Sequence, residues 1–278
     1  MLVNMNTYLK SAKELGYAIP QFNINNLEWT RFILEACEEK NSPVILGVSE
    51  SAIKYMGGYN IVSHIVSDLI EYLNITIPVV LHLDHGKSYL SCKEAIDAGF
   101  TSVMIDASKL PIEENIIETK KVVEYARKHN VSVEGEIGYI GTSNTSITMP
   151  SVEQVIMYVN ETNVDAVAPA LGSIHGIYKE EANLNFDMMN YLKNKINTPL
   201  VLHGGSGISD EKIKKAIKSG ISKLNINTDL QVAWTNAVKT FLSSNDVYDP
   251  RVIIKSGEQA IKEVVYKKIE LFESSNKK

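Results

Sequence analysis

Apolar and polar positions fall in blocks along this chain. Short runs rich in Val, Ile and Leu recur from end to end, separated by amphipathic stretches. The runs occupy 18–24 (AIPQFNI), 43–49 (PVILGVS), 78–85 (PVVLHLDH) and 102–108 (SVMIDAS), then 131–138 (VSVEGEIG), 164–172 (VDAVAPALG), 199–207 (PLVLHGGSG) and 223–229 (KLNINTD). Continuous apolar runs of this length read as strands buried on both faces. The stretches between them, such as 113–129 (EENIIETKKVVEYARKH), carry the helical period. Strands that alternate with helices imply a parallel sheet, and eight such units imply a (β/α)8 TIM barrel in one domain, 1–278. An open doubly wound sheet is the competing architecture. It would place a glycine-rich turn after the first strand, and QFNINN (21–26) is not one.

The remaining C-terminal stretch, 256–274 (SGEQAIKEVVYKKIELFES), reads as an additional helical segment. Ser256 followed three residues later by Gln259 has the form of a capping box. Ala260, Ile261, Val264, Val265 and Ile269 form one apolar stripe, which predicts packing on the barrel or on a second subunit.

Composition narrows the classes. The 278 residues are 44% hydrophobic, enough for a large core, and the net charge is -5. No basic run of the kind that grips nucleic acid is present, and no apolar run is long enough to span a membrane. No secretory signal is evident at the N-terminus, so the two cysteines, Cys37 and Cys92, are expected as free thiols in a reducing cytoplasm.

In such a barrel, chemistry collects at the C-terminal ends of the strands. Those ends carry Asn23, Ser49, Asp84 with His85, Asp106, Glu136, His175, His203 and Asn225. Any one of them has a plain structural explanation, as a satisfied core histidine or a helix cap. The set is harder to explain that way. Three of the six histidines fall at the mouth, each followed by Gly. Three imidazoles on one rim suit Zn²⁺ with a position open for substrate. Asp84 has three readings: ligand, helix cap or general acid/base. Asp106 and Glu136 could bind a second cation or accept the imidazole N–H of a ligand. The other histidines read as structural, with His82 one layer deeper than Asp84 and His64 and His129 on helix faces. HGGSG (203–207) and NINT (225–228) follow the last two strands, where barrels of this type often bind phosphate on backbone N–H groups.

Together the motifs HLDHG, SVMIDAS, VEGEIG, GSIHG, LHGGSG and KLNINTD, with GVSESAIKYMGGY (47–59) and YDPR (248–251), closely resemble the class II, metal-dependent fructose-bisphosphate aldolase family, which includes the tagatose-bisphosphate aldolases. The resemblance covers nearly the whole chain. It implies reversible cleavage of a ketose 1,6-bisphosphate, fructose first and tagatose second, with zinc on His85, His175 and His203. Asp84 would be the proton donor at the C4 oxygen during cleavage, and Asp106 and Glu136 the second metal position. Gly176, Gly204, Gly205, Ser206, Asn225, Ile226, Asn227 and Thr228 would hold dihydroxyacetone phosphate, with a monovalent cation (Na⁺ or K⁺) on nearby backbone carbonyls. Ser49 would contact substrate. Arg251 would reach a neighbouring subunit's site, which implies a homodimer or a higher even oligomer.

The zinc reading needs no Schiff-base lysine, and the predicted strands contain none except Lys223, at a strand start. A barrel metallohydrolase would place a His-x-His pair on the first strand, which is absent. One departure stands out. The family usually has a Gly-Gly-x-Glu-Asp loop after Glu136, whose glutamate assists proton exchange. Here 138–151 reads GYIGTSNTSITMPS, without an acidic residue. A different loop fold, a substitute base such as Glu134 or Tyr139, a changed substrate and a weakly active, metal-retaining binding protein all stay open.

Overall fold

The computed structural model describes residues 2–142 and 147–278. Eight parallel strands close into a barrel in sequence order. They are β1 (Ile19–Asn23), β2 (Val44–Ser49), β3 (Val79–Gly86), β4 (Ser102–Ile105), β5 (Ser132–Ile137), β6 (Ala166–Pro169), β7 (Leu200–Leu202) and β8 (Ile221–Ile226). The helices, in chain order, are α1 (Asn6–Leu15), α2 (Leu27–Glu39), α3 (Glu50–Met56), α4 (Tyr59–Tyr72), α5 (Tyr89–Asp97) and α6 (Ile112–Lys128), then α7 (Val152–Thr162), α8 (Phe186–Lys195), α9 (Asp210–Lys218), α10 (Thr228–Ser244), α11 (Pro250–Lys255) and α12 (Glu258–Leu271). The expected TIM barrel with extra C-terminal helices is therefore the observed fold.

Half of the described helices start where a short polar side chain accepts a free backbone N–H. Asn26 accepts from Trp29 N–H at the start of α2, and Ser88 and Ser151 form capping boxes on α5 and α7. The main apolar core lies between the strands and the helical ring and includes Phe22, Phe32, Phe100 and Phe272. A second cluster fills the lower barrel: Ile19, Ile45, Val80, Ala166, Ala168 and Val201. Leu9 and Ala12 of α1, with Met5 just before that helix, belong to the same cluster. The strand count of the sequence passes over α1. Cys37 and Cys92 are buried free thiols, as expected.

Three expectations are corrected. The runs at 164–172 and 199–207 are strand only over Ala166–Pro169 and Leu200–Leu202, because the small and glycine residues after them turn into loops. Strand β8 begins at Ile221, so Lys223 is not at a strand start. It lies in the strand interior, fully buried, with Nζ 2.7 Å from Glu134 Oε2. The capping box at Ser256 does not form. Its hydroxyl donates to the Ile253 carbonyl (2.7 Å) at the end of α11, and Gly257 starts α12 instead. The apolar stripe of α12 does bury Ile261, Val265 and Ile269, and the helix packs on α2 and α10.

Candidate active site

Adjacent residues of a regular strand point to opposite faces. Asp84 and His85 both reach the mouth because β3 is irregular where it leaves β4: the register shifts between Leu83 and Gly86, and His85 has φ +55°. A left-handed residue that is not glycine costs about 1–3 kcal/mol and persists where its surroundings enforce it. The bulge thus re-aims a side chain toward the site.

The three mouth histidines converge. Their rings stand edge-to-face, with centroids 4.7 Å (His85–His203), 5.0 Å (His85–His175) and 5.9 Å (His175–His203) apart. His85 Nε2 and His203 Nδ1 are 3.0 Å apart. The outer nitrogens face carboxylates: His85 Nδ1 lies 3.0 Å from Asp106 Oδ2, and His203 Nε2 lies 2.7 Å from Glu134 Oε1. Each of these two rings thus has one nitrogen held by an anion and the other turned to a common point, the arrangement of carboxylate–histidine–metal triads. One nitrogen or oxygen from each of His85, His175 and His203 lies within 4.8 Å of the others, as in a second group, His85, Asp106 and Glu136.

The electrostatics fit a cation. Burial would lower the His85 pKa, yet Asp106, Asp84 and Glu136 around it raise it to about 9. Burial, with Asp106 nearby, raises Glu136 to about 8, and its Oε2 has no hydrogen-bond partner. Burial, with His85 and His203 adjacent, lowers His175 to about 3, which keeps that imidazole neutral and ready to ligate. Asp84 differs. Burial works against its charge, but His85, His203, Lys223 and the Asn23 amide hold its carboxyl far below the usual range. Asn23 Nδ2 donates to Asp84 Oδ2 at 2.8 Å, and Asn225 Nδ2 lies 3.5 Å from Oδ1.

Across the mouth, the ends of β7 and β8 present backbone. Gly204 has φ +64°, and a Cβ there would stand 2.1 Å from the Ile174 carbonyl. Ser206 Oγ accepts the N–H groups of Asn227 (3.3 Å) and Asp229 (3.1 Å), which fixes the N-terminus of α10 beside it. Its own proton is then free to donate to an anion at that helix end.

A cavity of about 380 Å³ joins these parts. Asp84, His85, Asp106, His175, His203 and Ser49 line it, as do Gly176, Gly204, Ser206, Asn225, Asn227 and Thr228. Glu136 lies just behind His85, 3.5 Å away. Gly205 and the buried Ile226 do not line it. Arg251 does not line this cavity; its side chain is 90% exposed and paired with Asp249 at 2.7 Å. Glu134, weighed as a substitute base, sits one layer below the cavity between His203 and Lys223. Tyr139, the other candidate, does line it. Four residues of the loop 138–151, namely 143–146, lie outside the described residues. Sequence reasoning missed Asn25, Lys87, Lys109 and Thr142 on the cavity wall. The available signal was position: Lys87 and Lys109 follow His85 and Asp106 by two and three residues.

An ionised carboxylate, a set of side chains that could hold a cation and a glycine-lined loop at a helix start, together in one barrel mouth, suit a metal-dependent enzyme for phosphorylated small molecules. Comparison with known proteins is more specific. The family described as fructose-bisphosphate aldolase class-II matches residues 3–277. Proteins named fructose-bisphosphate aldolase from Staphylococcus aureus and Geobacillus stearothermophilus are each 51% identical over 282 residues, covering 99% of this chain and 99% and 98% of theirs. The crystal structure of the YdjI aldolase from Escherichia coli K12 superposes with a TM-score of 0.89 at 34% identity, covering 100% of this chain and 99% of its own. The fructose-bisphosphate aldolase of Campylobacter jejuni gives 0.87 at 25%, covering 100% and 97%. The chain belongs to the class II fructose-bisphosphate aldolase family and is a metal-dependent carbon–carbon lyase.

Proposed function

We propose that the chain reversibly cleaves fructose 1,6-bisphosphate to dihydroxyacetone phosphate and glyceraldehyde 3-phosphate, with Zn²⁺ on His85, His175 and His203. The observation that carries this is the convergence of the three imidazoles beside an ionised Asp84. Zinc would polarise the substrate ketone as a Lewis acid. Asp106 and Glu136 offer a second position for the metal. The phosphate on C1 lies against Gly176, Gly204–Ser206 and the Asn225–Thr228 turn, with the N-terminus of α10 as the anion site. A monovalent cation, Na⁺ or K⁺, would sit on carbonyls of the same loops.

Asp84 is ionised in the resting site, so it stands ready to take up a proton. As a carboxylate it accepts the C4 hydroxyl proton while the C3–C4 bond breaks. The C4–O bond becomes a carbonyl, and the bonding pair passes to the C2 ketone system. In condensation Asp84 returns that proton, so it is donor in the synthetic direction, opposite to the role the sequence implies for cleavage. Asn23 holds the carboxylate in place. Tyr139, on the cavity wall, is the described candidate for proton exchange at C3. Lys223 stays a partner of Glu134 and forms no Schiff base.

The protein acts in the cytoplasm as a homodimer or higher even oligomer in this reading. Two free buried thiols support a reducing compartment, and no described helix is long and apolar enough to cross a membrane. Helix α11 buries none of its residues, and exposed Leu242, Tyr248 and Val252 flank Arg251 on the same arm, a surface suited to a second copy.

A substrate panel tests the assignment. Fructose 1,6-bisphosphate is expected to give the highest kcat/KM, above tagatose 1,6-bisphosphate and fructose 1-phosphate. Chelation is expected to abolish turnover and zinc to restore it. Preference for the tagatose epimer, or a borohydride-trapped lysine adduct, overturns it.

A further inference from the structure

Two of the three mouth imidazoles are oriented by carboxylates, His85 by Asp106 and His203 by Glu134. Among the described residues, no side chain does this for His175. Its backbone is held instead. His175 N–H donates to the Gly141 carbonyl (2.9 Å), and the preceding Ile174 N–H donates to the Tyr178 hydroxyl (2.9 Å).

The Tyr178 hydroxyl has a second bond. It donates to the Gly204 carbonyl at 2.9 Å. One oxygen therefore links the residue before His175 to the residue after His203. Burial pushes the phenol up to about 12, so it keeps the proton that this bond needs at neutral pH. The two loops are close enough to depend on such a link: a Cβ on Gly204 would stand 2.1 Å from the Ile174 carbonyl. The Tyr178 ring lies against Gly207, where a Cβ would meet Cδ2 at 3.2 Å. Tyr178 thus spans GGSG, touching both ends of the segment that cradles the anion.

We propose that Tyr178 is a positioning residue that locks the loop carrying His175 to the loop Gly204–Gly207, so that metal site and phosphate cradle are held as one unit. This rests on the assignment of His175 to the metal and of Gly204–Ser206 to the phosphate. Tyr178 itself lies outside the catalytic cavity, on the wall of a second cavity of about 600 Å³ behind the cradle. It acts only through the backbone it holds.

Tyr178→Phe keeps the ring on Gly207 and deletes only the shared oxygen. The variant is expected to fold, with a melting temperature within a few degrees of the parent. Its zinc dissociation constant, measured by competition with a chromophoric chelator, is expected to rise about tenfold, in the range usual for loss of an outer partner of a metal site. The inhibition constant for inorganic phosphate is expected to rise by a similar factor. Because chemistry tolerates little misplacement, kcat is expected to fall more than KM for the bisphosphate rises. Unchanged zinc and phosphate constants in the folded variant overturn the proposal. A change in only one of them also overturns it, since the lock then serves a single loop. His175→Ala is the control for the underlying assignment. If that variant keeps full zinc affinity, the metal assignment fails, whatever Tyr178→Phe does.

Discussion

The two sides of the barrel mouth work by different means. On the β3–β5 side, Asp84, His85, Asp106 and Glu136 crowd charged and chargeable side chains into one corner. Their mutual fields set protonation before any ligand arrives. On the β6–β8 side the equipment is mainly backbone: glycines at positive φ, a capped helix start and a tyrosine hydroxyl bridging two loops. In the proposed reading, the first side holds and moves positive charge, as cation or proton, and the second fits the anion.

Exchanging single atoms on the first side should have the largest effect. Asp84→Asn keeps the shape and the bond region of Asn23 but cannot take up a proton. Its cleavage rate is expected to fall about 10² to 10⁴-fold. Zinc content should stay full, and hydrogen exchange on dihydroxyacetone phosphate should fall much less, because another group serves that step. Equal losses in cleavage and exchange with zinc bound would remove Asp84 from the C4 oxygen.

On the glycine side, two substitutions separate shape from backbone conformation. Gly204→Ala meets both a left-handed φ and the Ile174 carbonyl. Gly176→Ala meets only the φ of +92°, since nothing lies within 4 Å of its Cβ. Backbone strain alone costs about 1–3 kcal/mol, so Gly204→Ala should lose more stability than Gly176→Ala in denaturant melts. It should also raise KM for the bisphosphate more. Equal losses would mean that the contact with Ile174 relaxes freely and that close approach of these loops is not what the cradle needs.

A further test returns to the charged side. With its pKa raised to about 9, His85 carries an extra proton at neutral pH, and a metal on Nε2 must displace it. Zinc binding at pH 7 should therefore release roughly one proton, and affinity should fall about tenfold per pH unit below pH 9. Above pH 9 the release should fade. Titration calorimetry in two buffers of different ionisation heat reads the number directly. No release at pH 7 would mean that the surrounding carboxylates do not govern His85.

The same contrast explains what could be read from the sequence. Buried parallel strands write themselves as apolar runs, and the barrel followed from counting them. Side chains with chemistry stand out by type, so His85, His175, His203, Asp84, Asp106 and Glu136 were found by position, and the structure brings them together. Backbone functions leave weaker marks. GGSG showed that a loop was present, not that Tyr178 bridges it to the loop that carries His175. The irregularity that turns both Asp84 and His85 inward depends on how β3 pairs with β4, a tertiary property. Lys223 was misplaced because the strand edge was read two residues late, which also hid its partnership with Glu134. Ser256 resembled a cap, but its hydroxyl was already used by the preceding helix.

That buried lysine has a consequence for assembly. Lys223 and Glu134 belong to β8 and β5, far apart in the chain, and neither has contact with water. Stripping one partner from a buried ion pair costs about 3–5 kcal/mol. A chain that has made β5 but not β8 leaves Glu134 with only His82 and His203 beside it and without its lysine. The ring therefore gains its dry centre only when the last strand docks beside the first. The ion pair thus makes a barrel that lacks its last strand an unfavourable resting state.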